Sequence, residues 1–478
     1  MKPNIVVILA DDIGYGDFGC YNPRSRIPTP AIDSLARRGM VFTDAHSSSA
    51  VCTPSRYGIL TGRYCWRTAL KRSVLYSYEP PLIEEDRPTM ASVLKSSGYR
   101  TACVGKWHLG LGFRSLEGRP VYFQRPLPWG DADRALEESI DFSAPLSGGP
   151  LALGFDSFFG TSGCSTCQPP YGYIEGDRFT VPPSVYAEHF PYTGRPGMTA
   201  PGWDHAEVDP EFARRAVDFI EGRGASSEPF FLYLAPSAAH EPCVPETVPA
   251  FARGKSAAGP RGDLVWLFDW MVGQVVAALE RSGQLSNTAI FVTSDNGALP
   301  GDRVLDASGT EVYRTWDHDP SGNWKGWKSH IWEGGHREPL IVSWPSVVEE
   351  GTSCSALVGL NDLGATIAAM AGTAFPAGAA EDSRSFLPLL LGRQPAEPFR
   401  GHLVHHSAAG VFSLRRGEWK LVHESLGSGG WPPPSGGPPV PGSHGQLYNL
   451  AKDPSERENL FLREKTVARE LTELLLSI

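Results

Sequence analysis

The chain alternates short apolar runs with amphipathic stretches from its first residues. NIVVILA (4–10) is a continuous, β-branched apolar run, the pattern of a strand buried on both faces. TPAIDSLARRG (29–39) follows, a helix pattern with Thr29 as N-cap, Pro30 at the first position and Gly39 as stop. The alternation then recurs. Helix patterns lie at 89–98, 209–222, 263–283 and 362–372, and strand patterns at 100–105, 229–235, 288–294 and 339–345. Such alternation predicts an α/β fold with helices on both faces of a mainly parallel or mixed sheet. Beyond residue 396 the pattern changes to short strands at 402–407, 410–416, 418–424 and 445–450, with a hairpin turn at Arg416-Gly417. A closing amphipathic helix is expected over 457–476. The expected division is therefore a catalytic α/β domain, 1–396, and a C-terminal α+β subdomain with an antiparallel sheet, 397–478. The Gly/Pro-rich stretch 427–445 inside that subdomain reads as a solvated connector. The sharper alternative is a loop over a cleft, with Trp431 as a contact.

Composition narrows the class. The chain has 478 residues, 41% hydrophobic and 20% charged, the profile of a soluble globular protein. Its formal net charge of -10 argues against non-specific nucleic-acid binding. An anionic substrate would need positive charge concentrated in one pocket. No apolar run reaches the ~18 residues of a membrane span. The first strand starts so early that a signal peptide is not expected, so the reading is cytoplasmic, or periplasmic or secreted if an export signal was removed. The eight cysteines are scattered, and no disulfide framework is expected. Cys164 and Cys167 have the spacing of a redox or zinc pair, but no second pair and no histidine cluster completes a zinc site.

Ligands of open α/β sheets bind at the carboxyl ends of the strands. Two strand patterns end in hard oxygen donors: Asp11 and Asp12 after the first, Asp295 and Asn296 after TAIFVTS. That donor set suits Ca²⁺, or Mg²⁺, rather than zinc. Other strand ends supply Lys106 and His108 (GKWHLG), His240 (APSAAHEP), and Lys325, Lys328, His330 and His336 (NWKGWKSHIWEGGHREP). Together they are candidates for a cationic pocket beside a metal, as an anionic ester requires. CTPSR (52–56) opens a helix that Gly62 stops. A cysteine at a helix N-terminus is expected to be acidified and reactive, which points to a thiolate nucleophile, with Arg56 one turn on.

The stretch CTPSR followed by YGILTGR resembles the signature of the type I sulfatases, in the alkaline phosphatase superfamily. PNIVVILADDIGYGDFGCY, GKWHLG, TSDNG and WEGGHREP resemble further blocks of that family, in the family's order. The resemblance implies that Cys52 is oxidised in the cell, by a formylglycine-generating maturation enzyme, to Cα-formylglycine. This aldehyde hydrates to a diol that attacks sulfur, and sulfate is later expelled as the aldehyde returns. It implies Asp11, Asp12, Asp295 and Asn296 as Ca²⁺ ligands, with the modified Cys52 completing the shell. Arg56 would stabilise the diol, and Lys106 and Lys328 would neutralise sulfate. His108 would be the base for elimination and His240 the acid for the leaving alcohol. The sulfate-contacting serine of the family has Ser162, Cys164 or Ser165 as possible counterparts.

For the leaving alcohol the candidates are Trp66, Arg67, His318, His336, Arg337, His405 and His406, residue types that suit an acidic or sulfated sugar. The expected activity is hydrolysis of a carbohydrate sulfate ester such as sulfated galactose or N-acetylgalactosamine. The alternatives are a phosphonate or phosphate ester hydrolase on the same scaffold, or a non-catalytic protein that binds sulfated glycans.

Overall fold

The computed structural model describes residues 2–122, 131–188, 195–224, 228–305, 308, 310–393, 397–431 and 442–478. Its centre is an 11-stranded mixed sheet. Across the sheet the order is Thr352–Cys354, Met40–His46, Arg337–Ser343, Thr288–Ser294, Asn4–Ala10, Phe230–Ala235, Arg100–Lys106, Ser157–Thr161, Ile174–Glu175 and Arg178–Phe179. Val358–Gly359 pairs alongside Met40–His46. The strands from Thr288–Ser294 to Ser157–Thr161 run parallel, whereas Arg337–Ser343 is antiparallel to its neighbours.

Period-2 geometry explains why the first strand needs an unbroken apolar run. Ile5, Val7 and Leu9 enter a core on one face, packed by residues of the helices Cys52–Thr61, Met90–Ser96 and Asp362–Met370. Val6, Ile8 and Ala10 enter the core on the other face, under Pro30–Arg37, Val208–Arg223 and Gly259–Arg281. All seven residues of the strand are buried, and each fully buried aliphatic side chain contributes about 1.5–3 kcal/mol. The 23-residue helix Gly259–Arg281 is, by length and composition, apolar enough to cross a membrane, contrary to the reading of the sequence. Here it is a core helix, with 72% of its most apolar window buried inside the protein.

Leu403–His406, Phe412–Arg416, Trp419–Val422 and Gln446–Asn449 form a four-stranded antiparallel sheet, with the expected hairpin between Arg416 and Trp419. The last helix, Lys465–Leu476, buries Ala468 and Leu471 against it. It starts later than expected because side chains hold the preceding residues in turns. Asp453 Oδ2 accepts from the amides of Arg457 and Glu458, and Asn459 Oδ1 from those of Leu447 and Phe461.

The helix Cys52–Thr61 ends as expected at Gly62, which adopts φ 68 and donates its N–H to the Gly58 carbonyl. A Cβ there would also lie 2.7 Å from Ala380 Cβ. Gly62→Ala is therefore expected to lower stability by about 1–3 kcal/mol in denaturant titration. Because the helix start is held by other contacts, kcat should change little. A stability loss of a few tenths of a kcal/mol would refute this explanation of the cap.

Candidate active site

The sheet topology gathers the polar strand ends at one edge. Asp11 and Asp12 follow Asn4–Ala10, Asp295 and Asn296 follow Thr288–Ser294, and Lys106 ends Arg100–Lys106. The antiparallel strand Arg337–Ser343 begins at the same edge, and so brings the segment carrying Lys328 there. Asp12 and His108 both sit at positive φ, 59 and 58, an unusual backbone state for non-glycine residues. The segment before Cys52 is anchored by its backbone: Ser47 N–H donates to His336 O (2.8 Å) and Ala50 N–H to His406 O (3.0 Å). The Ser55 hydroxyl closes the turn onto Ser49 O at 2.8 Å.

Three carboxylates and three cations interlock in this pocket. Lys106 Nζ donates to Asp11 Oδ2 at 2.7 Å, and Lys328 Nζ to Asp12 Oδ2 at 2.6 Å. Arg56 donates through Nε to Asp295 Oδ2 at 2.9 Å and lies 3.6 Å from Asp11 Oδ1. Asn296 Nδ2 donates to Asp12 Oδ1 at 2.7 Å. His240 Nε2 lies 3.1 Å from Lys328 Nζ and 3.7 Å from Asp12 Oδ2. Every one of these side chains is buried, so each charge is stable only through its partners.

The electrostatics follow from burial and these contacts. Burial alone would raise Asp11, but Lys106, His240, Arg56 and Lys328 hold it far below the usual carboxylate range. Burial dominates at Asp295, which rises to about 6 despite Arg56. Burial would lower His240, but Cys164, Asp12 and Asp11 outweigh it and Lys328, and the imidazole rises to about 9. His108 goes the other way: burial, then the Lys106 and Arg56 charges, push it well below 6.5. Its Nε2 is 2.8 Å from Leu75 O, while its buried Nδ1 has no hydrogen-bond partner. The Nε2–H tautomer therefore leaves a free lone pair on Nδ1.

Cys52 does not behave as the helix-start argument predicts. Its Sγ is buried, 3.6 Å from Asp11 Oδ1. Burial pushes the thiol well above its ordinary value, and the Lys106 and Lys328 charges do not offset this. A thiolate nucleophile is thus disfavoured. The donor set fits a hard cation: Asp11, Asp12 and Asp295 converge, and Asn296 Oδ1 is buried with no donor facing it. With three carboxylates already balanced by Lys106, Lys328 and Arg56, a divalent cation would make the pocket net positive, as an anionic ester requires.

The candidates for the leaving alcohol lie elsewhere. His318 is buried with Nε2 2.9 Å from Asp17 Oδ1, beneath the Asp12 loop. His336 and His405 stack at 4.0 Å in a buried cluster with His46, whose Nδ1 is 3.0 Å from His336 Nδ1. His405 Nδ1 lies 3.1 Å from Ser47 O. These three histidines therefore face interior partners rather than an open cleft. Arg67 forks onto Asp382 at 2.9 Å and lies over Trp66, which stacks on Tyr64. Arg337 pairs with Asp44 and Glu333. His406 is buried and falls to about 4. Lys325 donates to Glu456 O, and His330 packs on Trp327 and Trp332. Cys164 faces the pocket, its Sγ 3.4 Å from His240 Nε2, while the Ser165 hydroxyl turns to Ser237 at 2.8 Å. Ser162 donates no side chain to these contacts; its carbonyl accepts from His108 N–H. Much of the Gly/Pro-rich stretch, 432–441, lies outside the described residues. Its start is fastened beside Lys328, because Ser329 Oγ donates to Trp431 O (2.6 Å) and accepts from Trp431 N–H (2.9 Å).

Two supporting residues escape a reading of the sequence. Arg261 grips Asp17 through both terminal nitrogens (2.9 and 2.6 Å) and donates to the Asp12 carbonyl at 3.0 Å. Asp17 in turn accepts from Gly14 N–H at 2.7 Å. This buried pair fixes the Asp11-Asp12 loop from behind. The one hint in the sequence is an arginine just ahead of a strongly apolar helix pattern.

Fold and pocket together define an α/β class whose buried lysines and arginine suit an anionic ester and whose clustered oxygen donors suit a hard cation. The family model described as Sulfatase matches residues 3–373. The chain is 32% identical to N-acetylgalactosamine-6-O-sulfatase of Bacteroides thetaiotaomicron, covering 100% of this chain and 93% of that protein. It is 31% identical to human arylsulfatase A, covering 96% and 83%. A solved structure described under the metabolism of multiple glycosaminoglycans by Bacteroides thetaiotaomicron superposes with a TM-score of 0.82 at 30% identity, covering 100% of this chain and 99% of that one. The chain belongs to the sulfatase family and is a sulfuric ester hydrolase.

Proposed function

We propose that this sulfatase removes sulfate from a carbohydrate, with Cys52 converted to Cα-formylglycine by a maturation enzyme and Asp11, Asp12, Asp295 and Asn296 holding Ca²⁺. The observation that carries the reading is the position of Cys52: its Sγ, 3.6 Å from Asp11, sits among Lys106, Lys328, Arg56 and His240. The N-acetylgalactosamine-6-O-sulfatase relative supports a sulfated amino sugar or galactose as the substrate. When bound by Asp11, Asp12, Asp295 and Asn296, the cation would supply Lewis acidity, and the aldehyde hydrate at position 52 would supply the nucleophilic oxygen.

The chain's own residues do the rest. Lys106 and Lys328 neutralise the sulfate oxygens as charge develops, and Arg56 holds Asp295 and the group at position 52 in place. His240 donates a proton to the departing alcohol. Its Nδ1–H is held by Glu241 O at 2.7 Å, so Nε2 carries the transferable proton into the pocket. His108, neutral and with a free Nδ1, accepts the proton whose removal ends the cycle. The two histidines thus differ in protonation at neutral pH because their surroundings differ.

His240→Gln tests the acid role. The loss in kcat is expected at about 10²–10⁴-fold for a sugar sulfate, whose alcohol needs a proton to leave. It should be much smaller for a nitrophenyl sulfate, whose phenolate leaves unaided. Equal losses on both would contradict the assignment. The substrate class is tested by kcat/KM on defined sulfated saccharides differing in sugar and sulfate position, beside aryl sulfate and phosphate esters. A 6-sulfated galactose or N-acetylgalactosamine is expected to exceed the aryl sulfate by about tenfold or more, since remote contacts of a true substrate raise kcat. Faster phosphate than sulfate turnover would instead identify a phosphate or phosphonate ester hydrolase. Binding of the saccharides with no turnover of any ester would identify a glycan-binding protein.

A further inference from the structure

The pair Cys164 and Cys167 has no part in the mechanism above. Along the chain it lacks partners for a zinc site. In the fold a partner arrives from a different strand end: His240 lies beside both sulfurs. Cys164 Sγ is 3.4 Å from His240 Nε2, and Cys167 Sγ is 3.9 Å from His240 Nδ1. One ligand atom from each of the three residues lies within 4.8 Å of the others. We propose that Cys164, Cys167 and His240 form a site for a thiophilic divalent cation, Zn²⁺ as the physiological case, at the edge of the catalytic pocket, and that filling it switches the enzyme off.

The chemistry of the donors favours this over a hard cation. Two sulfurs and one imidazole are the ligands zinc prefers, and three protein ligands leave one position for water. The Cys164-Ser-Thr-Cys167 turn holds its shape without metal: the amide of Gln168 donates to Cys164 O at 3.0 Å, and the amide of Cys164 to Gln168 Oε1 at 3.2 Å. The imidazole is oriented as metal-bound histidines are, because Nδ1–H is fixed on the Glu241 carbonyl at 2.7 Å and Nε2 is directed at Cys164. Cys164 is buried and Cys167 half-buried, so the site is sheltered yet has an entry path. Binding releases two thiol protons and the Nε2 proton of His240; the two thiolates balance the dication, and loss of the imidazolium charge leaves the site one unit less positive beside Lys328. The hard-oxygen cluster at Asp11, Asp12, Asp295 and Asn296 is chemically distinct, so the two cations select different places.

Inhibition follows from sharing His240. A cation on Nε2 occupies the lone pair that must carry the proton to the leaving alcohol. This consequence rests on the proposed role of His240, whereas binding itself does not. The two are therefore read separately.

Binding is read on the calcium-loaded protein with Co²⁺ and Zn²⁺ as probes. Co²⁺ should give a near-ultraviolet thiolate charge-transfer band in the wild type and in Cys52→Ser, and no band in Cys167→Ser. Zinc X-ray absorption on the wild type should show two sulfur neighbours at about 2.3 Å. This arm needs no variant, so it stands even if Cys167→Ser folds poorly. Turnover of a sugar sulfate, whose alcohol needs the His240 proton to leave, should fall at least tenfold as Zn²⁺ saturates the site, recover with a chelator selective for zinc over calcium, and need at least tenfold more Zn²⁺ in Cys167→Ser. Absence of the band, its survival in Cys167→Ser, its loss in Cys52→Ser, or a zinc shell of oxygen and nitrogen alone would overturn the site. So would a Cys164–Cys167 disulfide found in the protein as isolated. Zinc bound through two sulfurs without loss of turnover would leave the site standing and overturn the switch, and with it the acid role of His240.

Discussion

Replacing Cys52 by alanine is expected to lower kcat by at least about 10⁴-fold on every sulfate ester while leaving the protein folded. The first half follows from what remains. Lys106, Lys328, Arg56 and His240 would still bind and polarise the ester, but no group at position 52 could attack it. The second half follows from how little the thiol holds in place. It makes one long hydrogen bond, 3.6 Å to Asp11, and the helix it opens is held by Ser47, Ala50 and Ser55. A stability change of no more than about 1–2 kcal/mol is expected in denaturant titration. Loss of activity by global unfolding would speak against this picture of the helix start.

Asp11→Asn should damage both stability and cation binding. Asp11 compensates Lys106 at 2.7 Å and Arg56 at 3.6 Å, all three fully buried. Removing its charge leaves Lys106 buried and unpaired, which costs about 3–5 kcal/mol in unfolding free energy. Calcium affinity should fall at least about tenfold, because ligand charge sets affinity for a hard cation. Adding Lys106→Met to Asp11→Asn should recover more than half of the lost stability and none of the calcium affinity, since it removes the stranded charge but not the missing ligand. If calcium binding by calorimetry is unchanged in Asp11→Asn, Asp11 is not a ligand. Similar calcium protection against thermal unfolding in wild type and variant would say the same.

Much of this architecture is legible along the chain because its determinants are local. IVVILA (5–10) is apolar at every position because both faces of that strand are covered, and Gly62 stops a helix because its φ is positive. The strand Met40–His46 escapes a pattern reading because it is mixed in character: Val41, Thr43 and Asp44 are only half-buried on a strand near the sheet's edge. Ser157–Thr161 escapes it because few aliphatic residues mark the strand. For the pocket, the residues at strand ends can be named, since parallel topology delivers carboxyl ends to one edge. What no local pattern reveals is depth and partnership. Cys52 looks acidic from its helix position, yet burial outweighs the dipole and both lysines. Along the chain His318, His336 and His405 are candidates for a pocket around the leaving alcohol, until the fold surrounds them with Asp17, His46 and Ser47. Cys164 and His240 are 76 residues apart, and only the adjacency of the strands Arg100–Lys106, Phe230–Ala235 and Ser157–Thr161 brings them together.

The mechanism stands or falls on the active group being made from Cys52. Mass spectrometry of the peptide that contains Cys52, alongside turnover of the same preparation, decides the point. Conversion of the thiol to the aldehyde removes about 18 Da, by the chemistry of replacing –SH and one hydrogen with a carbonyl oxygen. Across preparations from hosts with and without maturation machinery, kcat per mole of protein should rise in proportion to the converted fraction and extrapolate to zero without it. Full activity in protein whose Cys52 remains an unmodified thiol would show that the aldehyde is not the active group.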